Sequence, residues 1–231
     1  CAARESGGLT FYTLDEVGDP SPGAGLRITF VPGIPGLWAE ALRNVCEVKK
    51  LEYIRVLHPL GDRQRQARLY ELTSQRSLPT MLYNDDHPRS ALIEQIRLAE
   101  KLGAENGSPQ LIPSNVNDRI LMLGLLNEVA GESGLIYTWR LMGKDTDPDS
   151  QASVMLAEKY GYTPEAAAAG EQHLIDILQA LSAQLRMQKV NGSKYFVGDS
   201  ISVLDIYWAT FSIAFGLPDE EIMPRTRQNM G

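Results

Sequence analysis

Few side chains in this sequence have the type and spacing that a shared catalytic or metal-binding site requires. The two cysteines, Cys1 and Cys46, form no CxxC pair, which argues against a dithiol redox site, a disulfide framework and structural zinc. Three histidines are present, namely His58, His87 and His173. No two of them have the spacing of metal ligands or of an acid–base pair, so no metal is expected. Ser202 and Asp205 could act as catalytic partners, but their spacing is typical of a helix capping box.

Three further groups of residues allow both a structural and a chemical interpretation. Cys46 lies beside an apolar helical stripe, where a free cysteine behaves as a small hydrophobic residue, so a core position is favoured over a reactive thiol. Trp38 and Trp139 could line a pocket, although aromatic residues at helical spacing are more often core residues. A cationic stretch is formed by Arg63, Arg65, Arg68 and Arg76. It is either a solvated surface or a wall that binds an anion.

The composition is that of an ordinary globular protein. The chain has 231 residues, of which 43% are hydrophobic and 22% charged, so it can bury a core without disulfide bonds. The net charge of -7 and the lack of a long basic run argue against nucleic-acid binding. The most continuous apolar stretch, 120–126, covers about a third of the roughly 20 residues that cross a bilayer. No membrane span is therefore expected.

The N-terminal residues carry little information about targeting. Residues 1–5 contain neither a methionine nor a signal-type apolar run, which indicates processing or a boundary set by cloning. Because cysteine is scarce, a reducing compartment is favoured and we expect a cytoplasmic protein. Residues 1–25 end in a run rich in glycine and proline, which predicts an N-terminal extension with one short element and then a loop.

The residues that follow predict an α/β domain. The predicted strands cover 26–31, 51–57 and 78–83. The predicted helices lie within 38–49, 62–76 and 90–102, the last one closed by Gly103. A strand, a helix and a strand of these lengths form a parallel βαβ unit. The third strand begins with Leu78 and Pro79, which is allowed because proline at a strand's start leaves the ladder intact.

The remainder of the chain is predicted to be helical. A domain boundary falls in the stretch rich in proline, glycine and asparagine between residues 104 and 117. A long apolar helix over 120–142 is interrupted at 131–134, and another helix starts at Thr163 and Pro164. The capping box at Ser202 opens a buried helix that extends through 215. The predicted domains are the extension 1–25, an α/β domain 26–104 and an all-helical domain 105–231.

Together these features resemble the soluble glutathione transferase superfamily. Residues 198–206 read Gly-Asp-Ser-Ile-Ser-Val-Leu-Asp-Ile and are similar to the family's signature Gly-Asp-x-x-Ser-x-Ala-Asp-Ile, with Leu204 where alanine is usual. Residues 111–113 and Arg119 also match the entry to the family's helical domain. The resemblance covers about residues 26–217. It implies an α/β thioredoxin-like domain, which binds glutathione, followed by an all-α helical bundle domain, which supplies the wall of the electrophile pocket.

The resemblance implies a glutathione site around residues 75–79. Leu78 and Pro79 take the place of the family's cis-proline turn, whose preceding backbone pairs with the cysteinyl part of glutathione. A cis bond before proline costs only about 0.5 to 1 kcal/mol, so this assignment is physically easy. Gln75 and Arg76 adjoin the turn and are the expected contacts of the glycine carboxylate.

The γ-glutamyl end of glutathione is held in the family by a Glu/Gln-Ser dipeptide, whose place is taken here by Arg89 and Ser90. At a helix start, Ser90 can offer its hydroxyl and backbone N–H to a carboxylate. Arg89 departs from the family's pattern. It cannot accept a hydrogen bond from the ligand's ammonium group, but it can pair with the ligand's carboxylate.

The family's usual activating side chain is missing. Lowering a thiol pKa by two units, as a transferase must, requires about 2.7 kcal/mol, and most members use a tyrosine, serine or cysteine. Gly36 stands at the serine or cysteine position and Pro32 at the tyrosine position. The resemblance leaves the backbone N–H groups near Gly36, Leu37 and Trp38 as donors to the thiolate. The alternative donors are Tyr12 and Thr29.

The favoured function is that of a glutathione transferase-like enzyme that joins glutathione to a small hydrophobic electrophile, as in detoxification. Glutathione is then the co-substrate, and a homodimer is usual in the family. The alternative is a non-catalytic ligand-binding or protein-interaction module on the same fold. A thiol oxidoreductase that uses Cys46 ranks last, because Cys46 lies about ten residues beyond the family's reactive position.

Overall fold

The computed structural model describes residues 4–6, 8–33, 36–59, 62–142, 157–158 and 160–216. Contacts divide the chain into an N-terminal unit, Cys1–Leu111, and a C-terminal unit, Ile112–Gly231. The N-terminal unit contains β1 (Arg4–Ser6), β2 (Leu9–Phe11), α1 (Leu14–Val17), β3 (Leu26–Phe30), α2 (Leu37–Val48), β4 (Ile54–Leu57), α3 (Arg63–Thr73), β5 (Met81–Tyr83) and α4 (Leu92–Glu105). The C-terminal unit contains α5 (Val116–Ala130), α6 (Leu135–Met142), α7 (Pro164–Val190), α8 (Val203–Phe211) and the 3-10 helix Ser212–Phe215.

The sheet of the N-terminal unit is built around β3. All five residues of this strand are buried, as the compact run rich in β-forming residues predicts, and Arg27 is buried with them. β3 pairs in parallel with β4 and antiparallel with β5, so that the strand order is β4-β3-β5. The parallel pair with α2 between its strands confirms the predicted βαβ unit. It also places β5 and the residues just before it at one edge of the sheet.

The N-terminal extension is more regular than the sequence predicts. β1 and β2 form an antiparallel hairpin, and Tyr12 then bridges to Val56 at the other edge of the sheet. The Tyr12 amide donates to the Arg55 carbonyl at 2.9 Å, and the Leu57 amide donates to the Tyr12 carbonyl at 2.7 Å. Since Leu14 of α1 is also buried in the core, this segment is part of the N-terminal unit.

Gly103 does not close the helix as predicted, because α4 continues to Glu105. A Cβ atom at Gly103 would overlap Cε of Lys49, so this glycine makes room for a side chain. Lys49 is only 1% exposed. Its Nζ donates to the Pro109 carbonyl at 2.7 Å and lies 3.2 Å from Glu100 Oε1. A packing requirement therefore explains a glycine that the sequence alone suggests is a cap.

The C-terminal unit confirms the main helical predictions. α5 and α6 are separated at residues 131–134, and α7 begins at a Thr163 cap whose Oγ1 accepts from the Ala166 amide at 3.1 Å. The capping box is present, with the Ser202 amide donating to Asp205 Oδ2 at 2.8 Å. The buried helix that it opens becomes a 3-10 helix after Phe211. Residues 145–150, whose composition predicts a loop, lie outside the described residues.

One apolar helical segment is longer than the stretch 120–126, from which no membrane span is expected. Taken together, α5 and α6 meet the length and hydropathy of a membrane-crossing helix, with a mean hydropathy of 1.2. A core helix of a globular unit has the same composition. The side chains of Met122, Leu126 and Val129 are fully buried in the C-terminal unit, and the helix is broken after Ala130. One side of the segment is thus buried, and 39% of its apolar window is buried in all.

Candidate functional site

The bond between Leu78 and Pro79 is cis, which confirms the sequence-based expectation. The turn is fixed to β3 because the Thr80 amide donates to Thr29 Oγ1 at 2.8 Å and the Thr29 amide donates to the Thr80 carbonyl at 3.1 Å. Neither the amide nor the carbonyl of Leu78 forms a hydrogen bond with a described residue. The turn thus presents unpaired backbone groups at a rigid position.

Gln95 holds the same turn from the helix side and was not found from the sequence. Its Nε2 donates to the Pro79 carbonyl at 2.7 Å and to the Arg89 carbonyl at 3.1 Å. The side chain is 2% exposed and lies on the inner face of α4, next to Ile96. The detectable signal was a single polar residue on an otherwise apolar helix face, since a buried amide requires partners.

The first turn of α2 opens beside the cis turn. Gly36 is the N-cap residue of α2, with extended backbone angles, and a Cβ atom there would lie 3.2 Å from Leu78 Cδ1. The Gly36 carbonyl accepts the first hydrogen bond of the helix, from the Glu40 amide at 2.9 Å. Gly36 has no side chain with which to cap this end, and Trp38 is half-buried in the same turn. A helix N-terminus without a cap attracts negative charge.

One acidic group lies close to this helix start. Glu40 belongs to the first turn of α2 and accepts a hydrogen bond from Arg43 Nε at 2.7 Å. The two side chains are 30% and 36% exposed, so the pair is partly screened by water. The negative charge of Glu40 repels an anion at the helix start, and the positive charge of Arg43 weakens this repulsion.

Ser90 is brought to the sheet edge by backbone pairing. Met81 and Arg89 exchange two hydrogen bonds of 2.9 Å, and Ser90 follows directly, one residue before the N-cap of α4, Ala91. The Ser90 Oγ is buried and has no hydrogen-bond partner among the described residues. A buried hydroxyl without a partner is uncommon in folded proteins, because its desolvation is then uncompensated.

Arg89 is held by its own turn. Its Nη2 donates to Asp86 Oδ2 at 2.6 Å and its Nη1 donates to the His87 carbonyl at 3.1 Å. The hydrogen bond from Arg89 is the largest of the effects that lower the pKa of Asp86 to about 2. The guanidinium already has an anionic partner, and these two bonds use two of its five N–H donors.

Gln75 and Arg76 lie on the exposed connection between α3 and the cis turn. Ser74 ends α3 in the left-handed region, with a φ of 54°, and the Gln75 amide donates to Thr73 Oγ1 at 3.1 Å. The Arg76 guanidinium stacks 5.1 Å from the centre of the Tyr70 ring. Both predicted contacts are therefore placed close to Leu78 along the chain, with side chains accessible to a ligand.

The other candidate groups lie elsewhere. Thr29 is fully buried and its hydroxyl accepts the Thr80 amide, while Tyr12 is at the sheet edge opposite β5. Cys46 is fully buried in the core, which raises the pKa of its thiol to about 12, so the core interpretation is confirmed. Among the described residues, no group of His, Cys, Asp and Glu side chains could hold a metal ion. Of the cationic stretch, Arg65 and Arg68 form ion pairs with acidic residues.

Comparison with solved structures identifies the fold. A tau class glutathione S-transferase from mango, Mangifera indica, is 17% identical, with 87% of this chain and 84% of that chain covered and a TM-score of 0.58. Ure2p, the yeast prion protein, in complex with glutathione is 10% identical over 91% and 98% of the two chains, with a TM-score of 0.65. A glutathione transferase homologue from Sulfitobacter with bound glutathione is 15% identical over 87% and 88%, with a TM-score of 0.56.

The chain therefore has the glutathione transferase superfamily fold, with a thioredoxin-like unit followed by an all-helical unit. No family model matches the sequence, and no curated protein matches it significantly. The fold was recognised from the capping box, the Leu-Pro turn and the βαβ order. These are the features that the structure confirms.

Proposed function

We propose that the protein binds glutathione beside the cis turn and that it transfers glutathione to a small hydrophobic electrophile. The observation that carries this proposal is the closeness of Gly36 to the Leu78 side chain, which brings the start of α2 and the cis turn into one neighbourhood. Related folds with bound glutathione, Ure2p and the Sulfitobacter protein, support the choice of ligand. We extend the proposal to a soluble, cytoplasmic homodimer with a role in detoxification.

The polar groups of the site match the chemistry of a tripeptide. The amide and carbonyl of Leu78 can pair with an extended peptide, as in the addition of a strand to a sheet edge. The Ser90 hydroxyl can donate to a carboxylate, which would satisfy the buried oxygen. Gln75 and Arg76 supply an amide and a cation on the other side of the turn, where a second carboxylate would lie.

Glutathione, when bound, supplies a sulfur nucleophile that must be ionised to react. The backbone N–H groups at the start of α2 can donate to sulfur and hold its negative charge. A hydrogen bond to a charged group contributes about 1.5 to 3 kcal/mol, and the helix dipole adds about 0.3 to 1 kcal/mol. Since one pKa unit corresponds to about 1.4 kcal/mol, these groups could lower a thiol pKa by roughly one to three units. The backbone alone is therefore sufficient for a modest catalyst.

The second candidate is a non-catalytic ligand-binding or interaction module. It is favoured by Gly36 and Pro32, which provide no hydroxyl or thiol where the family has its activating side chain. It is also favoured by Arg89, whose guanidinium is engaged by Asp86. The nitrogen regulation fragment of Ure2p has this fold, so a regulatory role on the same scaffold is physically reasonable.

One experiment separates the candidates. Glutathione binding is measured by calorimetry, and turnover is measured with a panel of electrophiles of increasing hydrophobicity. We expect saturable binding of glutathione and slow turnover that depends on the thiol. Binding without turnover, or binding of hydrophobic ligands irrespective of thiol, supports the module. Absence of both binding and turnover rejects the glutathione site.

A further inference from the structure

The helix that leads into the proposed site has a small apolar surface, namely the buried Leu69 and the partly buried Leu72, which pack in the same cluster. α3 has the sequence Arg-Gln-Arg-Gln-Ala-Arg-Leu-Tyr-Glu-Leu-Thr, and among its eleven residues, all of them described, Leu69 alone is buried. A helix that is polar on nearly all sides depends on outside contacts for its stability. Because α3 ends two residues before Gln75, its position determines where Gln75 and Arg76 can reach.

The N-terminal extension supplies one of the apolar neighbours of α3. Leu69 is packed in a buried cluster with Leu14, Val56 and Leu82, and Leu14 is 1% exposed. Val56 and Leu82 belong to the sheet, whereas Leu14 belongs to α1, a helix of four residues. The contact of α3 with the sheet is therefore completed by a side chain outside the predicted α/β domain.

Charged pairs orient the two helices. Arg65 Nε lies 2.9 Å from Asp15 Oδ2, and Arg68 is paired with Asp19. Asp62, the N-cap residue of α3, accepts from the Arg65 amide at 3.0 Å and from Arg65 Nη1 at 3.2 Å. These side chains are partly exposed, so the ion pairs orient α3 relative to the α1 segment more than they stabilise the contact between the two.

Arg27 anchors the extension from inside the sheet. This residue of β3 is 2% exposed, and its Nη1 donates to the carbonyls of Val17 and Asp19 at 2.8 and 2.9 Å. Its Nη2 donates to the Asn84 carbonyl at 2.7 Å, just after β5. A buried guanidinium is expensive to desolvate unless its donors are used; both Nη atoms are used here, whereas the buried Nε has no partner among the described residues. The Nη bonds tie the end of α1 to the sheet.

We propose that α1, anchored by Arg27, is a positioning element for α3 and thereby sets the affinity of the Gln75 and Arg76 side of the site for a ligand carboxylate. This inference rests on the proposed function. If α3 detaches from the sheet when α1 no longer supports it, the fraction of protein molecules that can bind the ligand falls. The apparent affinity for the ligand then falls in proportion. Leu14 is thus a positioning residue that does not touch the ligand.

The test uses full-length variants. Leu14→Ala removes the contact with Leu69, and Leu102→Ala is the matched control, since it makes the same truncation in the other core cluster of the N-terminal unit. We expect at least tenfold faster amide hydrogen exchange over residues 63–76 in Leu14→Ala, with no such local change in Leu102→Ala. The milder Leu14→Val is used if Leu14→Ala fails to fold, and Leu14→Met should restore the parent pattern.

Two ligands supply the second readout. Glutathione carries the glycine carboxylate, whereas γ-glutamylcysteine lacks glycine, so only the former should depend on α3. In Leu14→Ala we expect the Kd of glutathione to rise at least fivefold and that of γ-glutamylcysteine to change less than twofold. Equal changes in the Kd values of glutathione and γ-glutamylcysteine, or an unchanged rate of amide hydrogen exchange over residues 63–76, would overturn the inference. If the parent binds neither ligand, the proposed function and the affinity claim fail, and hydrogen exchange alone decides whether α1 positions α3.

Discussion

Gly36 and Leu78 are close neighbours, since a Cβ atom on Gly36 would stand 3.2 Å from Cδ1 of Leu78. This proximity brings the first turn of α2 to the residue before the cis proline. Because Gly36 has no side chain, backbone N–H groups are the polar groups that this end of α2 offers to a ligand. The chemistry of the proposed site therefore depends on the geometry of the backbone at the start of α2.

Removal of the Ser90 hydroxyl should affect binding more than folding. We expect Ser90→Ala to raise the Kd of glutathione about tenfold, because a hydrogen bond to a charged group contributes about 1.5 kcal/mol or more. The Ser90 Oγ has no partner among the described residues, so the free energy of unfolding should stay the same or rise by up to about 1 kcal/mol. Calorimetry and urea unfolding measure the two quantities.

Ser108→Ala is the control with the opposite pattern. The Ser108 hydroxyl donates to the Lys49 carbonyl at 2.6 Å, away from the cis turn. Its removal should lower the free energy of unfolding by about 1 kcal/mol and leave the Kd of glutathione unchanged. An unchanged Kd in Ser90→Ala would show that Ser90 does not contact the ligand.

Glu40 should raise the pKa of a thiol bound at the start of α2. Its removal in Glu40→Gln is expected to lower that pKa by about 0.2 to 0.7 units, from a charge effect of about 0.3 to 1 kcal/mol at a helix end. The thiolate is followed by its ultraviolet absorbance at low salt, where screening is weak. Glu47→Gln, in the exposed last turn of the same helix, is the matched control. A shift of equal size in both variants would indicate a general charge effect.

The elements that the sequence predicts well are those set by local chemistry. The capping box needs only Ser202 and Asp205, and the start of α7 needs only Thr163 and Pro164, so both are visible in a few neighbouring residues. The βαβ order follows from the lengths of the apolar runs. The cis turn was predicted because a Leu-Pro pair before a strand is part of the resemblance.

The features that the sequence does not reveal depend on distant backbone atoms. Arg27 lies in a run that predicts a buried strand, and its acceptors are carbonyls of Val17, Asp19 and Asn84. Gln95 likewise finds its acceptor at Pro79. A carbonyl has the same chemistry in every residue, so no sequence pattern identifies which one a buried side chain will meet.

The pairing of Asp86 with Arg89 should make stability depend on pH. The pKa of Asp86 in the folded protein is lowered from its ordinary value to about 2, first because of the hydrogen bond from Arg89. A depressed carboxylate pKa stabilises the fold above the unfolded pKa, and this stability is lost as pH falls from about 4 towards 2. The difference in urea midpoint between the parent and Asp86→Asn should shrink over that range.

The control for this prediction is Asp85→Asn, which leaves both hydrogen bonds of Arg89 in place. The difference in urea midpoint between the parent and Asp85→Asn should not shrink as the pH falls from about 4 towards 2. If the Asp86→Asn difference were constant between pH values of about 2 and 5, the ion pair would not stabilise the folded state.

The central claim, that N–H groups of α2 hold the thiolate, is tested by titrating the thiol of glutathione bound to three proteins: the parent, Gly36→Ala and Gly36→Asp. The first two should give a thiol pKa at least one unit below that of free glutathione. In Gly36→Asp the carboxylate caps the same N–H groups and adds negative charge, so the pKa should return to the free value or above it. The same Cβ is added in both variants, which controls for the contact with Leu78. A free-solution pKa in the parent, or equal pKa values in the two variants, would contradict the account.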